Sequence, residues 1–267
     1  MYFSKGDTSY WYETTGEGEP VVLLHGFTGS TGTWSEFVRE WQHEFQVITI
    51  DLPGHGKTTH SRPVTIEECC SDLVSLFNYL AFDKVHVIGY SMGGRTALSL
   101  AMLYPEKLCS LTLESSSPGL SDDQERMDRR HRDAQLAKRL ERDDIEAFVD
   151  FWENIPLFDT QKKLPNETRQ KVRNERLNQS AEGLAMSLRS MGTGQQPSWW
   201  DRLNELKLPV LLLAGAYDEK FIGINKLMAK RMQQASLRLI EDAGHAIHVE
   251  QPQIFGKIVI KFLRNVG

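Results

Sequence analysis

The pentapeptide Gly89-Tyr90-Ser91-Met92-Gly93 is the feature that most constrains how this chain can fold. The residues before it, 84–88, are mostly apolar and predict a buried strand, whereas residues 94–104 predict a helix. A serine on a sharp turn from strand to helix is held in a strained backbone conformation, and its hydroxyl stands clear of the sheet edge. The sequence therefore predicts that Ser91 is a nucleophile at the end of a parallel strand.

Apolar strands alternate with helices on both sides of this turn, after an opening segment that predicts a hairpin. Continuous apolar strands in such an alternation indicate a mostly parallel sheet with helices on both faces, and therefore the α/β class. Strands are predicted over 21–24, 45–50, 84–88, 108–113, 209–215 and 237–240, and helices over 34–41, 65–80, 94–104 and 251–263.

A long segment without strands interrupts this alternation. Residues 121–206 contain four predicted helices, and they separate the predicted strands at 108–113 and 209–215. Connections of this length are usually functional, and a helical lid over Ser91 is the natural prediction. We therefore expect a core domain made of residues 1–120 and 207–267, with residues 121–206 inserted as the lid.

Composition excludes several classes of function. Lys and Arg number 31 and Asp and Glu 36, which leaves a net charge of −5 and no basic field to attract nucleic acid. No apolar run approaches the length of a membrane span, and residues 1–7 lack the apolar core of a signal peptide. The cysteines Cys69, Cys70 and Cys109 form neither a disulfide framework nor a zinc motif. We expect a cytoplasmic protein without metal, membrane or nucleic-acid partners.

Two residues further along the chain are candidates to activate Ser91. A serine hydroxyl needs an imidazole to take its proton, and the imidazole needs a carboxylate to fix its tautomer. Asp218 follows the predicted strand 209–215 and His245 follows the strand 237–240, which gives the chain order expected for this architecture. Two alternatives stay open: Asp218 could serve as a turn or helix-cap residue, and His248 could replace His245 as the base.

Negative charge that develops on an oxygen needs preorganised donors. The amide of Met92, at the start of a helix, is one predicted donor. The amide of Phe27, in the sequence His25-Gly26-Phe27 after the first central strand, is the second. The alternative is that His25-Gly26 forms a tight turn and nothing more.

Arginines near Ser91 indicate an acidic substrate. Arg95 lies one helical turn after Ser91 and therefore on nearly the same face of its helix. Guanidinium groups bind carboxylates through two parallel hydrogen bonds, so the pattern predicts a substrate with several carboxylates. For the lid arginines a solvated, salt-bridged helix is the alternative, because acidic residues are interleaved among them. These arginines are Arg126, Arg129, Arg130, Arg132, Arg173 and Arg176.

Together these motifs resemble the α/β-hydrolase superfamily over nearly the whole chain. Within it, the chain is similar to the 2-succinyl-6-hydroxy-2,4-cyclohexadiene-1-carboxylate synthase family of menaquinone biosynthesis, and much of that similarity lies in the lid. The superfamily motifs are His25-Gly26, Asp51-x-Pro-Gly-His55-Gly, the turn at Ser91, Asp218 and His245. The segments similar to the synthases are 89–95, 114–120, Arg129-Arg130, Trp152 through Phe158, 176–180, 192–195 and 218–221.

The resemblance implies a carbon–oxygen lyase that eliminates pyruvate from a small tricarboxylate, 2-succinyl-5-enolpyruvyl-6-hydroxy-3-cyclohexene-1-carboxylate, without metal or cofactor. The choices between Arg129 and Arg130 and between Arg173 and Arg176 stay open, and a monomer or small homo-oligomer is expected. The alternatives are a serine hydrolase of small acidic esters or carbon–carbon bonds, and a non-catalytic receptor with the same fold. The implied substrate-binding residues are His25, Tyr90, Arg95, Arg129, Arg130, Trp152 and Arg176.

Overall fold

The computed structural model describes residues 1–266. Its strands are β1 (Tyr2–Lys5), β2 (Thr8–Thr15), β3 (Glu19–Leu24), β4 (Phe45–Ile50), β5 (Thr59–His60), β6 (Val85–Tyr90), β7 (Leu108–Glu114), β8 (Val210–Gly215) and β9 (Ala235–Ile240). The α-helices are α1 (Ser35–Trp41), α2 (Ile66–Tyr79), α3 (Met92–Leu103), α4 (Asp123–Arg142), α5 (Ile145–Trp152), α6 (Asn166–Leu177), α7 (Ala181–Met191), α8 (Glu219–Arg231), α9 (Ile247–Glu250) and α10 (Pro252–Val266). Short 3₁₀ helices cover Thr31–Trp34, Pro105–Lys107, Pro156–Lys163 and Trp200–Glu205.

The strands form one sheet in the order β1-β2-β4-β3-β6-β7-β8-β9, and β5 pairs with β2. The pairs from β4 to β9 along this order are parallel, whereas β1 and β2 are antiparallel to their neighbours. Every residue of β6 and β8 is buried, as expected for central strands of a parallel sheet that is covered on both faces. The predicted α/β fold with a mostly parallel sheet is confirmed.

Two hydrophobic clusters cover the two faces of this sheet. Successive side chains of a strand point to opposite faces, so Val22 and Leu24 of β3 join one cluster and Val21 and Leu23 join the other. The carboxyl ends of β3, β6, β7 and β8 lie together at one edge, as they must in parallel strands. The loops that leave this edge carry the candidate site residues.

Helices α4 to α7 lie between β7 and β8 in the chain, and they have a small core of their own. No helix within residues 1–266 is long and apolar enough to cross a membrane. The buried members of the small core are Ala137, Leu140, Phe148, Leu184, Ala185 and Leu188.

Close contacts join this helical segment to the sheet domain. A Cβ atom added to Gly183 of α7 would lie 2.6 Å from the carbonyl oxygen of Gly54, so the two backbones touch. On α6, one carboxylate oxygen of Glu175 accepts from the Ser30 amide (3.1 Å), the Ser30 hydroxyl (2.8 Å) and the Thr33 hydroxyl (2.7 Å). The helical segment is therefore fixed to the loop that follows β3.

Candidate active site

Ser91 occupies the turn between β6 and α3 in a strained conformation, with φ 50° and ψ −103°. A Cβ atom at Gly89 would lie 2.4 Å from the carbonyl oxygen of Gly93, and one at Gly93 would lie 2.2 Å from that of Leu24. Side chains at these two positions would clash with backbone, which is why the turn needs both glycines. The amide of Ser91 donates to the carbonyl oxygen of Glu114 at 2.9 Å, so β7 holds the turn.

The three predicted catalytic side chains form one hydrogen-bonded chain. His245 Nε2 lies 3.0 Å from the Ser91 hydroxyl, and His245 Nδ1 lies 2.7 Å from a carboxylate oxygen of Asp218. Because a carboxylate only accepts, Nδ1 carries the proton and Nε2 is free to take the serine proton. The other oxygen of Asp218 accepts from the Phe221 amide (3.3 Å), so the same side chain also caps α8.

His248, the alternative base, has a different partner. Its Nδ1 lies 2.9 Å from both carboxylate oxygens of Glu114, and its amide donates to the same group at 3.0 Å. Glu114 is fully buried at the end of β7. Sequence reasoning did not single out Glu114, although a charged residue that ends an apolar strand was a usable signal.

Phe27 and Met92, whose amides are the predicted oxyanion donors, both line the cavity that contains Ser91. Neither donates a hydrogen bond to a protein group within the described part of the chain. His25 shapes the loop before Phe27: its Nδ1 donates to the Gly26 carbonyl (2.8 Å), and its Nε2 accepts from the Leu52 amide (3.0 Å). Burial lowers the pKa of His25 to about 4. Both ring nitrogens of this neutral, fully buried histidine are occupied, so it supports the loop and is not positioned to contact a substrate.

A cavity of about 460 Å³ opens above Ser91 and His245. Residues from the helical segment between β7 and β8 and from the sheet domain line it together. Its aromatic lining comes from Phe27, Tyr90, Trp152, Phe158, Trp200 and Phe221, and its charged lining from Arg95, Arg129, Lys220 and Glu125.

Arg95 is the most deeply buried of the cations at this cavity. Its Nη1 donates to the carbonyl oxygen of Met191 (2.9 Å) and to the side chain of Gln196 (3.2 Å). Burial, with the nearby Arg129 cation, lowers the pKa of Arg95 to about 10, so the guanidinium is still charged at neutral pH. Arg95 can therefore present a desolvated positive charge to a bound anion.

The two adjacent arginines of α4 have different surroundings in the structure. Arg129 lines the cavity and pairs with Asp133 at 2.8 Å. Arg130 turns away, and its Nε donates to the carbonyl oxygen of Gly194 at 2.8 Å. Lys220, to which the sequence analysis assigns no role, is exposed and lines the cavity two residues after Asp218.

The two arginines of α6 also differ in position. Arg173 forms ion pairs with Asp150 (2.6 Å) and Glu153 (2.7 Å). Arg176 lies not in the cavity above Ser91 but in a second cavity, of about 200 Å³, that shares the Tyr90 wall. Within residues 1–266, no group of three or more His, Cys, Asp and Glu side chains is arranged to hold a metal ion.

Comparison with known proteins identifies the family. Residues 19–252 match the family model of the alpha/beta hydrolase fold. The chain is 47% identical over 251 residues to the putative 2-succinyl-6-hydroxy-2,4-cyclohexadiene-1-carboxylate synthase of Bacillus subtilis (strain 168), covering 93% of this chain and 91% of that protein. It is 34% identical over 237 residues to the synthase of the same name from Salmonella agona (strain SL483), covering 87% and 88%.

Among solved structures, that of MenH from S. aureus superposes with a TM-score of 0.91 at 37% sequence identity, covering 96% of this chain and 98% of that one. The chain therefore belongs to the α/β-hydrolase family and, within it, to the family of 2-succinyl-6-hydroxy-2,4-cyclohexadiene-1-carboxylate synthases.

Proposed function

We propose that the protein eliminates pyruvate from 2-succinyl-5-enolpyruvyl-6-hydroxy-3-cyclohexene-1-carboxylate to give 2-succinyl-6-hydroxy-2,4-cyclohexadiene-1-carboxylate in menaquinone biosynthesis. One observation carries the proposal: the Ser91–His245–Asp218 chain opens into a cavity whose charged lining is mainly cationic. The family relationship supports the same reaction. A site for neutral esters would not need to keep Arg95 charged and desolvated there.

The first step is removal of a proton. Ser91, relieved of its own proton by His245, abstracts the ring proton next to the succinyl ketone. The electron pair moves to the ketone oxygen, which accepts from the amides of Phe27 and Met92. Asp218 stabilises the imidazolium that forms on His245.

The second step breaks the carbon–oxygen bond. The enolate electron pair returns through the ring double bond and expels the enolpyruvyl group with the bonding electrons on its oxygen. A proton taken up on the leaving group completes pyruvate, and the ring keeps a conjugated diene. The reaction needs neither an acyl-enzyme nor a water molecule, because a base to remove the proton and donors to stabilise the enolate are enough.

Substrate recognition divides between charge and shape. Arg95 and Arg129 bind carboxylates, and Tyr90 and Trp152 form the walls around the ring. Residues 121–206 act as a lid that keeps water from the reacting atoms. The finer parts of this proposal are that the protein works in the cytoplasm, as a monomer or small homo-oligomer, on a free tricarboxylate.

The test is incubation with the enolpyruvyl precursor, with pyruvate followed by a coupled dehydrogenase and the conjugated diene by its absorbance. We expect both products to appear together in a 1:1 ratio, and Ser91→Ala to abolish them. The reaction is repeated in ¹⁸O-labelled water. A product that carries a newly formed ¹⁸O-labelled carboxylate would identify a hydrolase instead.

Hydrolysis of small acidic esters is the second candidate, and the triad geometry favours it as well. A serine activated by histidine, beside two unpartnered amides, is also what acyl transfer requires. The two functions predict different behaviour of Ser91. An acyl-enzyme would accumulate as a burst with an acidic ester, whereas the lyase turns over its substrate without any covalent adduct.

A further inference from the structure

The loop that carries His245 has no regular secondary structure of its own. Residues 243–246 lie between β9 and α9, and every one of them is buried. A buried backbone amide needs a hydrogen-bond acceptor, and outside helices and sheets a side chain often supplies it. The position of the predicted base therefore depends on the acceptors that the amides of this loop find.

One buried carboxylate accepts from the amides on both sides of His245. Glu250 Oε2 accepts from the Gly244 amide at 2.8 Å, and Glu250 Oε1 accepts from the Ala246 amide at 3.3 Å. Glu250 ends the short helix α9, which begins at Ile247, so one helical turn brings the carboxylate back to the loop. Each carboxylate oxygen serves one amide, and the residue between the two amides is the predicted base.

The charge of Glu250 is stabilised by this loop and not by a cation. Glu250 is buried, and it forms no ion pair with any residue of the described range 1–266. Burial raises the pKa of its carboxyl, and the hydrogen bond from the Gly244 amide opposes that rise. A buried charge is costly unless hydrogen bonds compensate it. Glu250 and the loop of His245 therefore stabilise each other.

Two further contacts leave this loop little room to move. The amide of Tyr217 donates to the Ala243 carbonyl oxygen at 2.9 Å, which joins the loop to the one that carries the predicted catalytic carboxylate. A Cβ atom at Gly244 would overlap the hydroxyl of Thr160, a residue of the helical segment between β7 and β8. The loop is therefore in contact with both parts of the molecule, and Glu250 holds its amides.

We infer that Glu250 is a positioning residue for His245. By holding the backbone on each side of the imidazole, it fixes the distances from His245 to Asp218 (2.7 Å) and to the Ser91 hydroxyl (3.0 Å). Proton transfer needs such short distances, and a displacement of about 1 Å can lower a rate by about 10²-fold. The inference rests on the proposed function for its reaction, although the same role would serve any chemistry of this triad.

Glutamine in place of Glu250 tests this role, because it keeps the shape of the side chain and removes one acceptor. Its carbonyl oxygen can serve one amide, but its NH₂ group would then face the other amide, donor against donor. We expect Glu250→Gln to lower the single-turnover rate by about 10- to 100-fold and to leave KM within about twofold, since substrate still binds while the base is displaced. Asp242→Asn, which changes an exposed carboxylate directly before the loop, is the matched control and should leave both within about twofold.

Proton NMR gives a second measurement that needs no substrate. The proton that His245 shares with Asp218 resonates far downfield, and Asp218→Asn identifies its signal. The proton that His248 shares with Glu114 gives another such signal in the same spectrum. In Glu250→Gln we expect the His245 signal to move upfield or to broaden, and the His248 signal to stay in place. Glu250→Asp keeps both oxygens but withdraws them by one carbon, so it should show the same changes to a smaller extent if the glutamine variant folds poorly.

The outcomes separate a positioning role from a structural one. A normal rate in Glu250→Gln, or a slow rate with an unchanged His245 signal, overturns the inference. So does loss of both downfield signals together, or failure of both variants to fold, since Glu250 would then stabilise the fold in general. Failure of the proposed reaction would appear instead as an absence of pyruvate with the wild type. The NMR signals, and rates with an acidic ester, would still test Glu250 in that case.

Discussion

The molecule contains two buried histidine–carboxylate pairs whose histidines are only three residues apart in the chain. The two histidines bind different carboxylates and face different cavities. His245 contacts Asp218 at 2.7 Å, and His248 contacts Glu114 at 2.9 Å. The second nitrogen of His245 meets the Ser91 hydroxyl and the 460 Å³ cavity, whereas His248 faces the 200 Å³ cavity. A histidine–acid pair is therefore not in itself a sign of catalysis; the third partner decides its role.

The second pair holds the first in place. Glu114 accepts from the Ser91 amide through its carbonyl oxygen and from His248 through its carboxylate. The loop of His245 and the turn of Ser91 are thus attached to the same residue of β7. We therefore expect the His245–Asp218 pair to transfer protons and the His248–Glu114 pair to hold His245 and Ser91 at a fixed distance.

The largest expected effect on the reaction rate comes from substitution of Ser91 or His245. Ser91→Ala or His245→Ala should lower kcat/KM by at least about 10³-fold with the fold intact, because the two groups act as one unit. Asp218→Asn should cost as much or less, through the wrong tautomer of the imidazole. Steady-state kinetics with circular dichroism as the folding control measure this, and near-normal turnover by Ser91→Ala would refute the triad.

The second largest effect concerns the positive charge of Arg95 in the cavity that contains Ser91 and His245. Arg95→Ala should lower kcat/KM by about 30- to 1,000-fold, which corresponds to roughly 2–4 kcal/mol, since a desolvated carboxylate loses its partner. Arg95→Lys should recover part of this loss. Arg95 also binds the lid through Met191 and Gln196, so a neutral ester serves as the control. Equal losses on charged and neutral substrates would make Arg95 a structural residue.

A smaller effect distinguishes Arg129 from Arg130. Arg129→Ala should raise KM about tenfold, as one charged hydrogen bond is lost at a partly exposed position. Arg130→Ala removes a neighbour that points to Gly194, and it should leave KM within about twofold. Initial-rate kinetics on the two variants compare them directly. A reversed order would mean that α4 rotates when substrate binds.

Disruption of the His248–Glu114 pair should lower the free energy of unfolding more than it lowers the reaction rate. Glu114→Gln leaves one acceptor oxygen for two donors of His248, and breaking a buried pair costs about 3–5 kcal/mol. We expect a clear drop in the free energy of unfolding in urea, with kcat/KM reduced less than about tenfold. If Glu114→Gln instead matched His245→Ala in rate at unchanged stability, the second pair would take part in the chemistry.

Much of this site could be predicted from the sequence because local rules determine it. The turn at Ser91 follows from its glycines, and the position of Arg95 follows from helical spacing. The N-cap of α2 likewise follows from Thr65, which accepts from the Glu68 amide.

The remainder depends on contacts between distant segments. Glu114 finds His248 because β7 lies beside β6 in the sheet, and sequence distance does not show this. Arg129 and Arg130 are adjacent on a helix that is charged on every side, so its pattern does not mark which one faces inward. Arg176 lines the second cavity because Glu175 joins α6 to the loop that follows β3, and no periodicity encodes that contact.

The contact of Glu175 with Ser30 and Thr33 also limits how this protein could be recombined with its relatives. The acceptor, Glu175, belongs to residues 121–206, and the three donors belong to Ser30 and Thr33 of the sheet domain. Ser30, the nearer of the two, lies three residues after Phe27 in the chain. A chimaera that exchanged residues 121–206 and had no acceptor at position 175 would leave these donors without a partner, close to the predicted oxyanion donor Phe27. We therefore expect an exchange of residues 121–206 with a relative to need an acceptor at the position of Glu175.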